Sequence, residues 1–236
     1  MVKKVTQTFN TWAFKREQPS DISLLEHFTA RAIMKRQPLS FVLYWGKGPR
    51  SNIANPDLQC LDYLASMADR VKTVYRDGCL INLVLTDTHA TLNGHSSQNI
   101  TSYFTQVEQE AGNRGFESYL LSELTETAGR AINVSDFPDP SEQTIRQLTE
   151  SAMRWYRGTE SVEQGALDYF KMNMVERQVI ELFFPGSIFV TFNGSDHREL
   201  FPEKLPIFYM YSLKRGFGVK PWFLTDDGTP AVASNG

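Results

Sequence analysis

Two apolar runs bracket a helical stretch in the first half of this chain, and that arrangement constrains the fold more than any other feature. Leu39-Ser40-Phe41-Val42-Leu43-Tyr44-Trp45 follows Pro38 and stops at Gly46. Cys79-Leu80-Ile81-Asn82-Leu83-Val84-Leu85 follows Gly78 and stops at Thr86-Asp87-Thr88-His89. Both runs are too continuously apolar for a half-exposed strand, so each reads as a strand buried on both faces. Between them lies the clearest helix start in the sequence. Asn55 can cap, Pro56 suits the first helical position, and Asp57 complements the helix dipole. Leu58, Leu61, Leu64, Ala65, Ala68, Val71 and Tyr75 continue one face to Gly78. Strand, helix and strand at this spacing imply parallel strands joined by a right-handed crossover.

The alternation extends outward. A helix fits Asp21 to Lys35, another Ser97 to Asn113, and a strand Phe116 to Leu121. In the second half, Asp139-Pro140-Ser141-Glu142 and Ser161-Val162-Glu163-Gln164 each open a helix, to about Tyr156 and Phe183 respectively. Pro185-Gly186 ends the second. The aromatic strand patterns Ile188–Phe192 and Pro206–Ser212, with a short Trp222-Phe223-Leu224, are close enough to pair antiparallel at a sheet edge. The expected fold is α/β: a Rossmann-like three-layer domain with a largely parallel sheet and an antiparallel C-terminal edge. Residues 1–19 read as an arm or short edge element, 20–225 as one catalytic-type domain, and 226–236 as a flexible tail with little to bury.

A chain of 236 residues with 41% hydrophobic residues has enough apolar side chain for one sizeable core. Its net charge of −3 lacks the basic excess that nucleic-acid binding calls for. No apolar run approaches the ~20 residues of a membrane span, and Met1–Phe14 lacks the apolar core of a signal peptide. Cys60 and Cys79 show no metal-ligand spacing and read as reduced thiols. Together these point to a cytoplasmic protein acting on small molecules, with no metal; the oligomeric state is not set by the sequence.

In open α/β sheets, ligands bind beyond the carboxyl ends of the strands. Two loops qualify. The first carries Lys47, Arg50, Ser51 and Asn52 ahead of a helix amino end, which suits an anion; a solvated basic turn reads equally well. The second carries Asp87, a base, an amine holder or a turn cap. His89 alone reads as a surface or hydrogen-bonded histidine. In Asn193-Gly194-Ser195-Asp196-His197-Arg198, the adjacent Asp196 and His197 should diverge, which argues against a triad with Ser195. Lys214-Arg215-Gly216 and Lys220-Pro221-Trp222 would add positive charge to an anion site or form a solvated loop. Arg177, inside the long helix, calls for an anionic partner: a substrate carboxylate, or Glu181 one turn on.

The order of these residues resembles the pyoverdine/dityrosine biosynthesis family, which includes tyrosine and tryptophan isonitrile synthases. The resemblance starts at Pro38-Leu39-Ser40-Phe41-Val42-Leu43 and runs through Lys47 and Ser51-Asn52, where members carry Phe-Pro-x-Lys-Ser-x-Asn. It continues with Pro56-Asp57, Tyr75-x-x-Gly78, Asp87 in a Ser-Asp-Gly position, Tyr103 and Arg177, and closes at Pro221-Trp222. Most of residues 38–224 is covered. The chain departs at Tyr44-Trp45-Gly46, at the inserted Gly48-Pro49-Arg50, at Phe189 to Asn193 where members carry Arg-Leu-Ser-Ile-His, and at Phe223 in place of a closing histidine.

The resemblance implies conversion of an aromatic amino acid's amino group to an isonitrile, with a carbon from ribulose 5-phosphate and no metal or redox cofactor, in secondary-metabolite biosynthesis. On that reading Lys47, Arg50, Asn52 and the helix amino end hold the phosphate, Lys47 and Asp87 are catalytic with Asp87 the base, and Ser51 and Arg177 bind substrate. Tyr44, Trp45 or Trp222 seats the aromatic ring. The alternatives are another sugar-phosphate or amino-acid enzyme on the same fold, or a catalytically inactive small-molecule binding protein.

Overall fold

The computed structural model describes residues 1–132, 137–211 and 219–231. Its centre is a five-stranded sheet in the order β3-β2-β1-β4-β5, built from β1 (Leu39–Trp45), β2 (Cys79–Leu85), β3 (Glu117–Leu120), β4 (Ile188–Thr191) and β5 (Ile207–Tyr209). Every neighbouring pair is parallel. The α/β architecture with a mostly parallel sheet is therefore as expected, and the antiparallel C-terminal edge is corrected. The connection from β4 to β5 is long enough to swing back: it includes a 3₁₀ stretch, Ser195–Leu200, and re-enters from the same end. The antiparallel element at that edge comes from the other terminus, where Lys15 bridges Met210. Trp222-Phe223-Leu224 is not a strand; Pro221–Phe223 is a 3₁₀ turn.

Helices cover both faces. α1 (Val2–Phe9), α3 (Asn55–Lys72) and α5 (Ser97–Gly112) pack one side, where Val5, Phe9, Leu61, Leu64, Met67, Phe104 and Val107 meet Phe41, Leu43, Ile81 and Leu83. α6 (Leu121–Ala128), α7 (Glu142–Trp155) and α8 (Val162–Phe183) take the other, where Leu124, Leu148, Phe170, Met174 and Ile180 meet Val42, Val84, Phe189 and Ile207. β1 feeds both layers because successive side chains point to opposite faces, which explains its unbroken apolar run. α2 (Ile22–Lys35), capped by Asp21, contributes Leu25 to the first layer and Phe28 to the second.

Several boundaries differ from expectation. The expected arm is a helix whose Val5 and Phe9 are fully buried. α3 is capped at Ala54, with Asn55 its first residue; Asp57 accepts a hydrogen bond from the Ala54 N–H at 2.8 Å. A short α4 (Asp87–Leu92) follows β2 directly. Residues 226–231, expected in the flexible tail, turn back: Leu224 bridges Pro230 and the Ala231 N–H donates to the Phe223 carbonyl. Residues 232–236, Ser212 and the Lys214-Arg215-Gly216 cluster lie outside the described residues. Among the described residues no helix is long and apolar enough to cross a membrane.

Candidate active site

The chain order reverses beside β1. From β1 it steps to β2 and β3 with helices on one face, then returns through α6, α7 and α8 to β4 on β1's other side. Loops leaving β1 and β4 therefore part in opposite directions and open a crevice at the strands' carboxyl ends. A cavity of about 100 Å³ occupies that place, lined by Tyr44, Lys47, His89, Tyr169, Thr191 and Trp222, among others.

Lys47 reaches it as expected. Its side chain is 5% exposed, and its amine donates to the carbonyls of Gly48 and Arg50 at 3.0 and 2.9 Å. Burial lowers its pKa to about 8. Tyr44 and Trp222 also line the cavity. Trp222 lies so close to the β1–α3 loop that a Cβ on Gly46 would sit 2.6 Å from the indole, which is why glycine stands there.

The other basic-loop residues do something else. Arg50 donates to Asp57 at 2.7 Å and to the Pro221 carbonyl at 2.9 Å. Asp57 is fully buried and also accepts from the Tyr103 hydroxyl at 2.8 Å, which in turn accepts from the Trp45 indole at 3.3 Å. Burial holds the Asp57 carboxyl above its ordinary range, opposed by Arg50 and by the bonds from Ala54 and Tyr103. Arg50 and Trp45 thus join a network beneath the cavity, and neither lines it. Ser51 is half-buried in the same loop; exposed Asn52 accepts from Gln106 at 3.1 Å. Neither is brought to the cavity.

Asp87 caps α6, accepting from the Ser122 N–H at 3.0 Å, and does not line the cavity. The chemistry two residues on is more suggestive. The His89 Nε2 lies 2.6 Å from the Glu176 carboxylate, whose other oxygen accepts from Thr88 at 3.2 Å. Glu176 is 1% exposed, and His89 also packs on the Tyr169 ring at 4.6 Å between centroids. A carboxylate behind a cavity-facing imidazole fixes the ring's tautomer and orientation. Arg177 lies one turn on from Asn173 along α8, pairs with Glu203 at 2.9 Å, donates to the Glu199 carbonyl and does not line the cavity. Glu181 does not pair with it and instead accepts from the N–H groups of Glu203 and Lys204. The Ser195 hydroxyl donates to Glu17, and Asp196 approaches His197 to 3.1 Å despite their adjacency in sequence.

Sequence reasoning left His89, Glu176, Tyr169, Asn173 and Lys220 without firm roles. Tyr169, Asn173 and Glu176 recur at i, i+4 and i+7 on α8, polar groups among the helix's buried apolar positions, and that spacing was the available signal. Lys220, from the second basic cluster, lines the cavity opposite Lys47's loop, and burial lowers its pKa to about 8.

No family model matches this sequence, and no curated protein does. The solved structures do answer. PvcA from Pseudomonas aeruginosa superposes with a TM-score of 0.68 over 94% of this chain and 87% of its own, at 14% identity. The chain has the fold of PvcA. Weaker likenesses include tryptophanyl-tRNA synthetase from Giardia lamblia (TM-score 0.47, 14% identity, 89% of this chain and 60% of that one) and cyclo(L-leucyl-L-phenylalanyl) synthase (0.42, 12%, 76% and 93%). At those scores they carry no argument.

Proposed function

We propose that this protein is an isonitrile synthase-like enzyme that joins the amino group of an aromatic amino acid to a carbon of ribulose 5-phosphate. The observation that carries the proposal is the pairing, in one crevice, of buried cations with a carboxylate-held histidine. Lys47 supplies positive charge facing a phosphorylated sugar, and Lys220 brings a second amine to the same crevice. His89, braced by Glu176, takes the proton that an attacking amine must lose, the task expected of Asp87. Trp222, Tyr44 and Phe192 supply apolar walls for an aromatic ring. The resemblance of residues 38–224 to the isonitrile synthases and the PvcA fold support the same reading. Such an enzyme belongs to small-molecule biosynthesis and works in the cytoplasm; it needs no metal or redox cofactor for carbon–nitrogen condensation.

Incubation with tyrosine or tryptophan and ribulose 5-phosphate, followed by mass spectrometry, tests this. Isonitrile product is expected, lost in His89→Ala and lowered by a factor on the order of 10² in Glu176→Gln, in keeping with general-base contributions. A different product would retain the enzyme and discard the reaction. Saturable binding without turnover would make the protein a binding module, a reading that Phe223 in place of the family's closing histidine favours.

A further inference from the structure

We propose that Lys220 is a Schiff-base lysine, whose amine condenses with the carbonyl carbon of the sugar phosphate. The inference rests on the reading that this crevice takes a ketose phosphate. Lys220 stands where two spaces meet. On one side is the inner cavity with Lys47, His89 and Trp222. On the other is a wider cleft of about 730 Å³, lined by Arg16, Arg154, Trp155 and the His197–Asp196 pair, whose side chains approach to 3.1 Å. Phe192, Asn193, Lys220 and Phe223 border both. The two spaces differ in character: the outer one gathers two guanidinium groups beside an imidazole that a carboxylate already engages, the inner one a proton acceptor and apolar walls. A ketose phosphate spanning the throat would put its phosphate towards the outer guanidinium groups of Arg16 and Arg154 and its carbonyl beside the Lys220 amine.

The amine itself is set up as a nucleophile. Its Nζ lies over the Phe223 ring, 5.8 Å from the centroid, and that ring stacks on Trp155 at 4.2 Å with 17° between planes. Among the described residues no carboxylate pairs with it and no acceptor receives a hydrogen bond from it. Lys47 differs: two carbonyls hold its amine in place. An ammonium against an aromatic wall, without an anion, gives up hydration that the neutral amine does not need. The lowered pKa of about 8 agrees with that setting, so formation of the imine should rise with pH through that region and level off above it.

The chemistry balances without an added reagent. The Nζ lone pair attacks the carbonyl carbon and forms the new C–N bond. The carbonyl oxygen, taking two protons, leaves as water, and a C=N bond remains. The amino group of the second substrate then attacks that carbon, the bond to Lys220 breaks, and the lysine amine is restored. His89, in the same chamber, is placed to relay the protons.

The test uses the full chain with ribulose 5-phosphate and sodium borohydride. Reduction of the imine to a secondary amine adds the mass of the sugar phosphate less one oxygen. The adduct is expected on the peptide carrying Lys220 and is expected to be lost in Lys220→Arg, while calorimetric binding of the sugar phosphate persists in that variant. Binding without any adduct, or an adduct on Lys47 instead, overturns the Schiff-base assignment and leaves the proposed function standing. If ribulose 5-phosphate does not bind at all, the proposed function fails, and pyridoxal 5′-phosphate with borohydride tests the amine alone. Preferential labelling of Lys220 would then support its reactivity, and labelling spread evenly over surface lysines would refute it.

Discussion

Single residues carry the sharpest energetic statements. Asp57 is fully buried with Arg50, Tyr103 and the Ala54 N–H as its partners, so its removal strands a largely buried guanidinium. Breaking such a pair from one side costs about 3 kcal/mol. For a domain of this size Asp57→Ala should lower the melting temperature by roughly 6–12 °C in a thermal melt followed by circular dichroism; an unchanged melt would contradict the network. His95 makes a second prediction. Burial first, then the nearby Lys47 and Arg157 charges, pull its pKa from 6.5 to about 4. The folded protein therefore holds this histidine neutral where the unfolded chain would protonate it. Its contribution to stability is complete above pH 6.5 and is lost as pH falls towards and through 4. His95→Gln should lose less denaturant resistance than the parent between pH 7 and pH 4.5, and equal losses would refute the assignment. At this scale the sequence was only partly legible. Lys47 announced itself by its place after a buried strand. Asp87 had the same credentials, and only the backbone of α6, arriving from 35 residues away, shows why its carboxylate is occupied.

Elements were easier to read where local rules suffice and harder where the partner is distant. Side chains of Asp21, Ser141 and Ser161 cap their helices where the sequence placed helix starts. β1, β2 and the intervening α3 follow from continuous apolar runs around one helical period. The direction of β4 and β5 was not legible, because a short apolar strand looks the same in either orientation, and only the route of the chain between strands decides. The loop from β1 to α3 and the turn Pro221–Phe223 form a coupled pair of elements. Gly46 lets the Trp222 indole lie against the end of β1, 2.6 Å from where a Cβ would be. Gly46→Ala must therefore push Trp222 from its seat between Trp45 and the cavity. The expected result is weaker substrate binding, read as a raised KM for the aromatic substrate, with a smaller change in kcat. An unaltered KM would show that Trp222 has no part in seating the ligand.

For the whole molecule, strand order is what matters. An all-parallel sheet with its reversal between β1 and β4 leaves one crevice at the carboxyl ends, and the conserved fold of PvcA is consistent with that layout at only 14% identity. To the crevice the fold brings Lys47 from the first crossover, His89 from α4 with Glu176 of α8 behind it, and Lys220 from the last segment, four positions spread over more than two-thirds of the chain. Short-range patterns could indicate that such a crevice exists but not which side chains meet there. The most direct measurement is a crystal structure of the protein with ribulose 5-phosphate. Density for the sugar phosphate in the crevice, within reach of Lys220 and with His89 facing its carbonyl carbon, is the predicted result. A sugar phosphate bound elsewhere on the molecule, or a crevice left vacant at saturating ligand, would contradict the account.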